Sequence, residues 1–415
     1  MSVLAAGMIL GQLAVAAPPA GDAPVLTLGD RTEVRARTRL TSKGVAEDVE
    51  NTPLATLVMR GRRADAALGY ALHFGYFDFV KDPTFVASQA AQLSLGYLVT
   101  RELRLYVAAD GYVGKQFTDG LAAPTKLGPT PLPVTLTFTP PVPVIYSAAY
   151  RAELGFSYRL DPRWELAASA LYGGGQGLNR TSRLAIPRYY GPSGNVTLGY
   201  EATKADRLAT GVRAAYTTTP STGGNFFNTA VTETWTHNFD ERTTGVLGAG
   251  IAWQRTHDTA RAPAKTTVFP DGEVGLTHKV PLGLGETLTF EATGRTGLTY
   301  DAVLRTSSPL ASAGLGAGWA RTEVGASTRV DYLTTIRTDP TQPKASQISG
   351  SVTMWYLPAR LVRLETGFRA YRQELELAGG VPLATVQGTT AQTPTNPFQW
   401  AAFVAVVLGA PPLEL

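Results

Sequence analysis

The chain between Tyr146 and Tyr172 alternates apolar and polar side chains with a period of two, interrupted only at Asp161-Pro162-Arg163. Every second residue from Tyr146 to Leu160 is apolar, and the residues between them are small, polar or charged. Such a period predicts a β-strand, because successive side chains of a strand point to opposite faces. Strands of soluble domains usually end after about five or six residues, whereas a strand crossing a membrane at a tilt needs about 9–11. The pattern therefore predicts a transmembrane β-barrel.

The same alternation recurs along the chain, and we predict eighteen strands: 32–41, 54–63, 66–79, 88–99, 103–115, 145–160, 164–176, 194–203, 207–217, 226–237, 243–256, 271–280, 286–300, 309–319, 322–335, 345–356, 361–375 and 397–409. Short turns such as 161–163 alternate with long connections: 42–53, 116–144, 177–193, 257–270 and 376–396. Outer-membrane barrels have short periplasmic turns and long outer loops, and an even strand count returns both ends of the barrel to one side. The sequence therefore predicts an all-β fold, a single antiparallel up-and-down barrel.

Two of these segments have weaker patterns. In 226–237, Glu233 and Trp235 share one face while threonines fill the other, so its lipid-facing side is ambiguous. Pro270 cannot donate a backbone hydrogen bond, so we place the start of the next strand at Asp271. Either segment could belong to a loop, and a barrel of 16 strands is the alternative to eighteen. The threonine-rich 226–237 is also a candidate contact face between barrel copies, although the oligomeric state does not follow from the sequence.

Charged side chains decide which face of the sheet meets lipid. In the first strand Glu33 shares a face with Arg35, Arg37 and Arg39, while the alternate residues are mostly apolar. One arginine on the lipid face near the bilayer midplane costs about 2–4 kcal/mol, so this face must turn inward. The same sorting predicts the channel-lining residues: Arg35, Arg37, Arg39, Arg104, Tyr106, Asp110, Tyr112, Arg151, Glu153, Arg213, Glu291, Arg295, Arg329, Asp331, Arg363, Glu365 and Arg369.

This mixed lining allows two interpretations. Rings of arginine favour anions, whereas arginine–carboxylate pairs only neutralise one another and stiffen the wall. The cluster of Arg35, Arg37 and Arg39 has Glu33 as its single carboxylate on the same strand, so an anion preference is expected there if anywhere. The inward tyrosines Tyr106 and Tyr112 allow stacking of sugar rings, but scattered lumenal tyrosines are equally expected of any barrel.

The ends of the chain lie outside the predicted barrel. Residues 1–17 have an apolar stretch and a small-residue cleavage pattern, which predicts a signal peptide, although no basic residue precedes the stretch. A membrane anchor is the alternative, but about 13 apolar residues are too few to span a bilayer. Residues 18–31 are then a short periplasmic segment, 32–409 the barrel and 410–415 a C-terminal tail.

Composition and motifs argue against catalysis. The chain has no cysteine, which excludes disulfides and thiol chemistry, and its net charge of +4 does not favour nucleic acid binding. It contains no Gly-x-Ser-x-Gly motif, and its four histidines have no metal-binding spacing. We therefore expect no enzyme activity, no cofactor and no metal, with His73 a lone polar residue of the lumen.

In pattern, the chain resembles the outer-membrane β-barrel porin superfamily, although no motif identifies a subfamily. Its strand count is similar to that of sugar-specific porins and of polysaccharide-secretion barrels, which work with a periplasmic export protein. Barrels of this superfamily commonly end in a strand with a terminal aromatic residue. Here the apolar face from Phe398 to Leu408 fits a last strand, but the chain continues through Pro411-Pro412 to Leu415.

The resemblance implies an outer-membrane channel for hydrophilic solutes or an exported carbohydrate polymer. Its expected partners are outer-membrane lipid, the solute or polysaccharide, and, for export, a periplasmic export protein. The alternative is a non-conducting barrel that anchors or adheres at the cell surface. Connection 116–144 is long enough to fold into the lumen and narrow it, or else to remain outside.

Overall fold

The computed structural model describes residues 24–38, 45–77, 84–117, 134–135, 144–220, 224–257, 265–283, 285–301, 306–336, 344–376, 398–409 and 413–414. The long strands within these ranges are β1 Val25–Thr38, β2 Val45–Arg60, β3 Ala64–Phe77, β4 Thr84–Leu98, β5 Leu103–Phe117, β6 Val144–Arg159, β7 Trp164–Gly177, β8 Tyr189–Glu201, β9 Asp206–Thr219, β10 Gly224–Asn238, β11 Thr243–His257, β12 Lys265–Gly283, β13 Glu286–Asp301, β14 Thr306–Ala320, β15 Val324–Thr335, β16 Lys344–Ala359, β17 Val362–Glu376 and β18 Phe398–Gly409.

Each strand pairs antiparallel with the next, and β18 pairs with β1 in a register that runs from Gly29 opposite Gly409 to Arg37 opposite Ala401. This last ladder closes the sheet, so the predicted eighteen-strand barrel is confirmed. A short segment, Leu413–Glu414, pairs beside Val25 and Leu26. Strand β1 starts at Val25, seven residues before the predicted position 32. The pairing of Leu413 and Glu414 extends the sheet beyond the predicted end of the barrel at residue 409.

Several predicted boundaries were wrong because strands continue into segments assigned to loops. Strand β2 begins at Val45 rather than 54, β8 at Tyr189 rather than 194, and β12 at Lys265 rather than Asp271. The predicted connection 177–193 also contains a short helix, α1 (Arg180–Ala185), which Asn179 caps by accepting from the backbone N–H of Ser182. Among the described residues, no helix is long and apolar enough to cross a membrane.

Pro270 lies inside β12, contrary to prediction. It is opposite Ile251 in the ladder with β11, whereas the ladder between β12 and β13 runs from Gly272 opposite Thr296 toward the short turn. Proline is tolerated in a sheet where one side of the strand carries no ladder, since its missing N–H then leaves no bond unmade. The prediction failed because it treated β12 as paired on both sides along its whole length.

The two faces of the barrel differ as the alternation predicts. In β1, Val34 is 52% exposed on the outside, while Arg35 is 2% exposed on the inside. Outward aromatic residues form two bands, with Tyr158 and Trp164 beside a short turn and the others toward the long connections: Tyr146, Tyr172, Tyr216 and Tyr332. Such girdles mark the two membrane interfaces of a barrel. The side chain of Tyr300 lies outside the described set.

The short turns are held by side chains that accept backbone hydrogen bonds. Asp161 accepts from the N–H groups of Arg163 and Trp164, and Asp240 accepts from those of Arg242 and Thr243. Aspartate favours such turns because its carboxylate reaches its own backbone two or three residues ahead. In Asp240 these donors lower the pKa of the carboxyl group below its ordinary value.

One segment of the connection between β5 and β6 reaches a distant strand. Val134 and Thr135 pair in parallel with Tyr300 and Asp301 at the end of β13. Strand β13 lies seven strands from β6 around the barrel of eighteen, which is close to the opposite wall. The connection between β5 and β6 is therefore tied to the far side of the barrel mouth.

Candidate functional site in the barrel lumen

The arginine cluster of β1 is neutralised by the neighbouring strand. Arg35 donates to Asp48 at 3.2 Å and to Glu50 at 2.7 Å, and Arg37 also pairs with Asp48. All four side chains are buried. The sequence analysis missed Asp48 and Glu50 because it placed them in a loop, and the expected anion preference loses its basis. Arg39 lies outside the described residues.

A second group of ion pairs crosses β18, the strand that completes the barrel. Arg369 on β17 donates to Glu33 on β1 at 2.9 Å, and Arg31 donates to Glu365 at 3.0 Å. The strand between them turns Ala401, Phe403 and Ala405 inward, with Ala401 beside Arg369 and Ala405 beside Glu365. The guanidinium of Arg369 crosses β18 over the ring of Phe403.

Further ion pairs lie around the wall, either between adjacent strands, within one strand, or across one or two intervening strands. Arg151 and Asp110 lie 2.8 Å apart, and Arg213 pairs with Asp271, a carboxylate that the predicted lining did not include. On β15, Arg329 contacts Asp331 at 2.8 Å and Glu291 of β13 at 3.6 Å.

Other predicted lining residues have polar or aromatic neighbours. Arg363 contacts Glu365 at 3.0 Å and lies 5.0 Å over the ring of Trp355. The hydroxyl groups of Tyr112 and Ser147 are 3.2 Å apart. Arg295 occupies an inward position of β13, opposite Glu273 of β12.

The end of the lumen near the short turns carries exposed ion pairs. Arg104 contacts Asp65 at 2.8 Å, and Arg207 contacts Glu165 at 2.9 Å, with every one of these side chains at least 40% exposed. The sequence analysis named only Arg104 of these four. The same alternation places the other three on inward faces, but their pairing depends on strand register.

Burial divides the lumen into two halves. Most of the fully buried inward side chains lie toward the long connections; they include Arg37, Asp48, Phe77, Ile145, Ser147, Thr219, Ala345 and Gln399. Toward the short turns, inward side chains such as Asp65 and Arg207 are exposed. Inward side chains of the described structure are therefore exposed toward the short turns, which we call the open half of the lumen, and packed against other groups toward the long connections.

His73 has a hydroxyl neighbour in the lumen wall. His73 Nδ1 lies 3.1 Å from the hydroxyl of Thr52, on the inner face of β2 and β3. Among the described residues, no group of three histidine, aspartate or glutamate side chains is placed to hold a metal ion.

Comparison with protein families decides the assignment. The model of the EpsX exopolysaccharide export family matches residues 31–371, most of the chain. The chain belongs to the EpsX family. No curated protein matches it by sequence. The EpsX-family barrel is accordingly an outer-membrane protein, and its family is described by exopolysaccharide export.

Solved structures with similar folds are outer-membrane proteins. The FrpB iron transporter of Neisseria meningitidis (F3-3 variant) is 8% identical with a TM-score of 0.47, and the match covers 84% of this chain and 62% of FrpB. OccK2 of Pseudomonas aeruginosa is 11% identical with a TM-score of 0.45, and the match covers 94% of this chain and 98% of OccK2. A bacterial polysaccharide outer membrane secretin is 9% identical with a TM-score of 0.41, and the match covers 93% of this chain and 98% of the secretin. The EpsX-family chain thus spans less than two thirds of FrpB.

The lumen of this EpsX-family member offers hydrogen-bonding groups without a large unbalanced charge. The ion pairs place guanidinium donors beside carboxylate acceptors at several heights of the wall. Carbohydrate hydroxyl groups both donate and accept hydrogen bonds, so a wall of this kind can contact them along a path. A barrel of eighteen strands is also too wide for its own wall side chains to fill.

Proposed function

We propose that this barrel conducts exopolysaccharide through its lumen, from the short-turn end to the end with long connections. Short turns lie at the periplasmic side of bacterial barrels, so the polymer enters where the lumen is open. The observation that carries the proposal is the match to the export family over residues 31–371, and the polar, open entrance supports it.

A periplasmic export protein is the partner proposed at the entrance. The short turns surround this end and carry exposed charged residues, including Arg62, Arg63, Arg101, Glu102 and Arg163. Such a rim suits a polar contact with another protein, which would deliver the polymer to the lumen. The proposal assigns no chemical step to the barrel itself.

Because the chain has no cysteine, a single introduced cysteine can be modified selectively to block the lumen. Ser94 is an exposed, inward-facing residue of β4 in the open half of the lumen, opposite Ala67 and Ala108. In cells that express only Ser94→Cys, a polyethylene-glycol maleimide should abolish surface exopolysaccharide. Arg101→Cys, in a short turn outside the lumen, is the matched control, which should react but continue to export.

The companion measurement is a strain that lacks the barrel. We expect it to synthesise exopolysaccharide but display none at the surface, with display restored by the wild-type gene. Normal surface polysaccharide in this strain would refute the proposed function. Export that survives modification of Ser94→Cys would refute passage through the lumen.

A further inference from the structure

An inward tyrosine in the open half of the lumen is flanked by glycine on both neighbouring strands. Tyr106 of β5 lies opposite Gly96 of β4 and Gly155 of β6. A Cβ added at Gly155 would collide with Cζ and Oη of Tyr106, so the phenol end of the ring lies over this glycine. A Cβ at Gly96 would collide with the Arg104–Asp65 pair. Two glycines thus make space for one aromatic ring and one ion pair.

Polar groups surround the ring. The hydroxyl of Tyr106 donates to Glu153 at 3.3 Å, and the exposed pair of Arg104 and Asp65 lies one inward position nearer the short turns. Serine and asparagine continue the wall on the next strands, where Ser169 donates to Asn195 at 3.0 Å. The wall here therefore combines an aromatic ring with carboxylate, guanidinium, hydroxyl and amide groups.

This combination matches the two surfaces of a sugar. A pyranose has a face of C–H groups that packs on an aromatic ring and a rim of hydroxyl groups that need donors and acceptors. Binding sites for small polar molecules commonly pair an apolar wall with a few placed polar groups.

Three other inward rings have different surroundings. The guanidinium of Arg369 lies 3.8 Å over Phe403, and that of Arg363 lies 5.0 Å over Trp355. Tyr371 is buried at 6% exposure. Tyr106, in contrast, is partly exposed and lies in the open half of the lumen.

We propose that Tyr106, Glu153 and the Arg104–Asp65 pair form a sugar-binding subsite of the lumen wall, where a pyranose of the polymer stacks on the tyrosine ring. This inference rests on the proposed export function and adds a position at which the chain is contacted. Glu153 and the ion pair bind hydroxyl groups at the edge of the stacked ring.

The test is calorimetric titration of the purified barrel in detergent. The probe is a set of oligosaccharides made by mild acid hydrolysis of exopolysaccharide from the same cells. Tyr106→Leu should weaken binding roughly three- to tenfold, since the stacked ring is lost. Tyr106→Trp and Tyr106→Phe, which keep a ring, should bind within about twofold of wild type.

Tyr97→Leu is the matched control, since Tyr97 lies on the outer face of the adjacent strand β4. It should bind like wild type, and each variant is first shown to be folded by its heat-dependent mobility on a gel. No measurable binding by wild type, equal binding by Tyr106→Leu, or equal weakening by Tyr97→Leu would each overturn the subsite. If the strain without the barrel loses surface polysaccharide while Tyr106→Leu binds normally, the export function stands and only the subsite fails.

Discussion

Arg369 donates a hydrogen bond to Glu33 across an intervening strand, although the two residues are 336 positions apart in the chain. Both lie inside the barrel, where Glu33 is 1% exposed. Glu33 also contacts Arg31 at 2.7 Å, so one carboxylate contacts two guanidinium groups at the junction of the first and last strands.

Removing this carboxylate should destabilise the barrel. Breaking a buried ion pair costs about 3–5 kcal/mol because the remaining charge loses its partner. We expect Glu33→Gln to lower the free energy of unfolding by about 3 kcal/mol, measured by urea titration in lipid vesicles. Glu165→Gln, which breaks the exposed pair with Arg207, should cost less than about 1 kcal/mol. Equal effects of the two variants would contradict the buried role of Glu33.

Removing the carboxylate of Glu233 should instead stabilise the barrel. It lies on the outer face of β10 between Phe227 and Trp235, and Thr210 donates to its carboxylate at 2.8 Å. A charge on the lipid face is unfavourable, although less so for glutamate than for arginine. Glu233→Leu should therefore raise the free energy of unfolding by about 1 kcal/mol in the same assay.

The control for Glu233 is a carboxylate on the inner face. Glu291→Leu removes the contact with Arg329 and should give no stabilisation. A loss of stability in Glu233→Leu would mean that this carboxylate has a partner in the membrane, which would revive the predicted contact face in 226–237.

The turn aspartate Asp240 should make part of the stability depend on pH. Its pKa is lowered by backbone N–H donors, so its stabilising effect is present above the ordinary carboxyl pKa and is lost as pH falls through the lowered value. Asp240→Ala should melt below wild type at pH 7, and the difference should shrink as pH falls below the ordinary carboxyl pKa. Asp240→Asn keeps an acceptor, so it should lie between them at pH 7. A pH-independent deficit in Asp240→Ala would exclude this origin.

The connection between β5 and β6 should limit ion flow. Deleting 120–142 removes Val134 and Thr135, which tie this connection to β13. We expect single-channel conductance in planar bilayers to increase. Unchanged conductance would assign the restriction to other parts of the lumen. If neither the folded wild type nor the folded deletion variant shows conductance steps, the non-conducting alternative is favoured.

Alternation within a strand was enough to predict the barrel and its two faces. Arg35 and Val34 sort to opposite sides because the period of a strand is two, whatever the neighbouring strands are. Segment 226–237 was ambiguous for the same reason: Glu233 suggested an inner face and Trp235 an outer one, and the structure places both outside.

Pairing between strands was much harder to predict. Asp48 neutralises Arg35 because the two residues are directly opposite in the ladder between β1 and β2. Arg369 meets Glu33 only because β18 closes the ring and brings β17 within reach of β1. Both contacts depend on register, which local periodicity does not contain. Pro270 was misplaced for a related reason, since the ladders on its two sides differ in length.

The seam between β1 and β18 also bears on biogenesis. Gly29 and Gly409 can meet only after all eighteen strands of the barrel have been synthesised. Until that moment the first and last strands each expose a row of unsatisfied backbone groups, the kind of edge that invites aggregation. Because the first and last strands pair with each other, the chain must reach the outer membrane before the sheet closes and without aggregating.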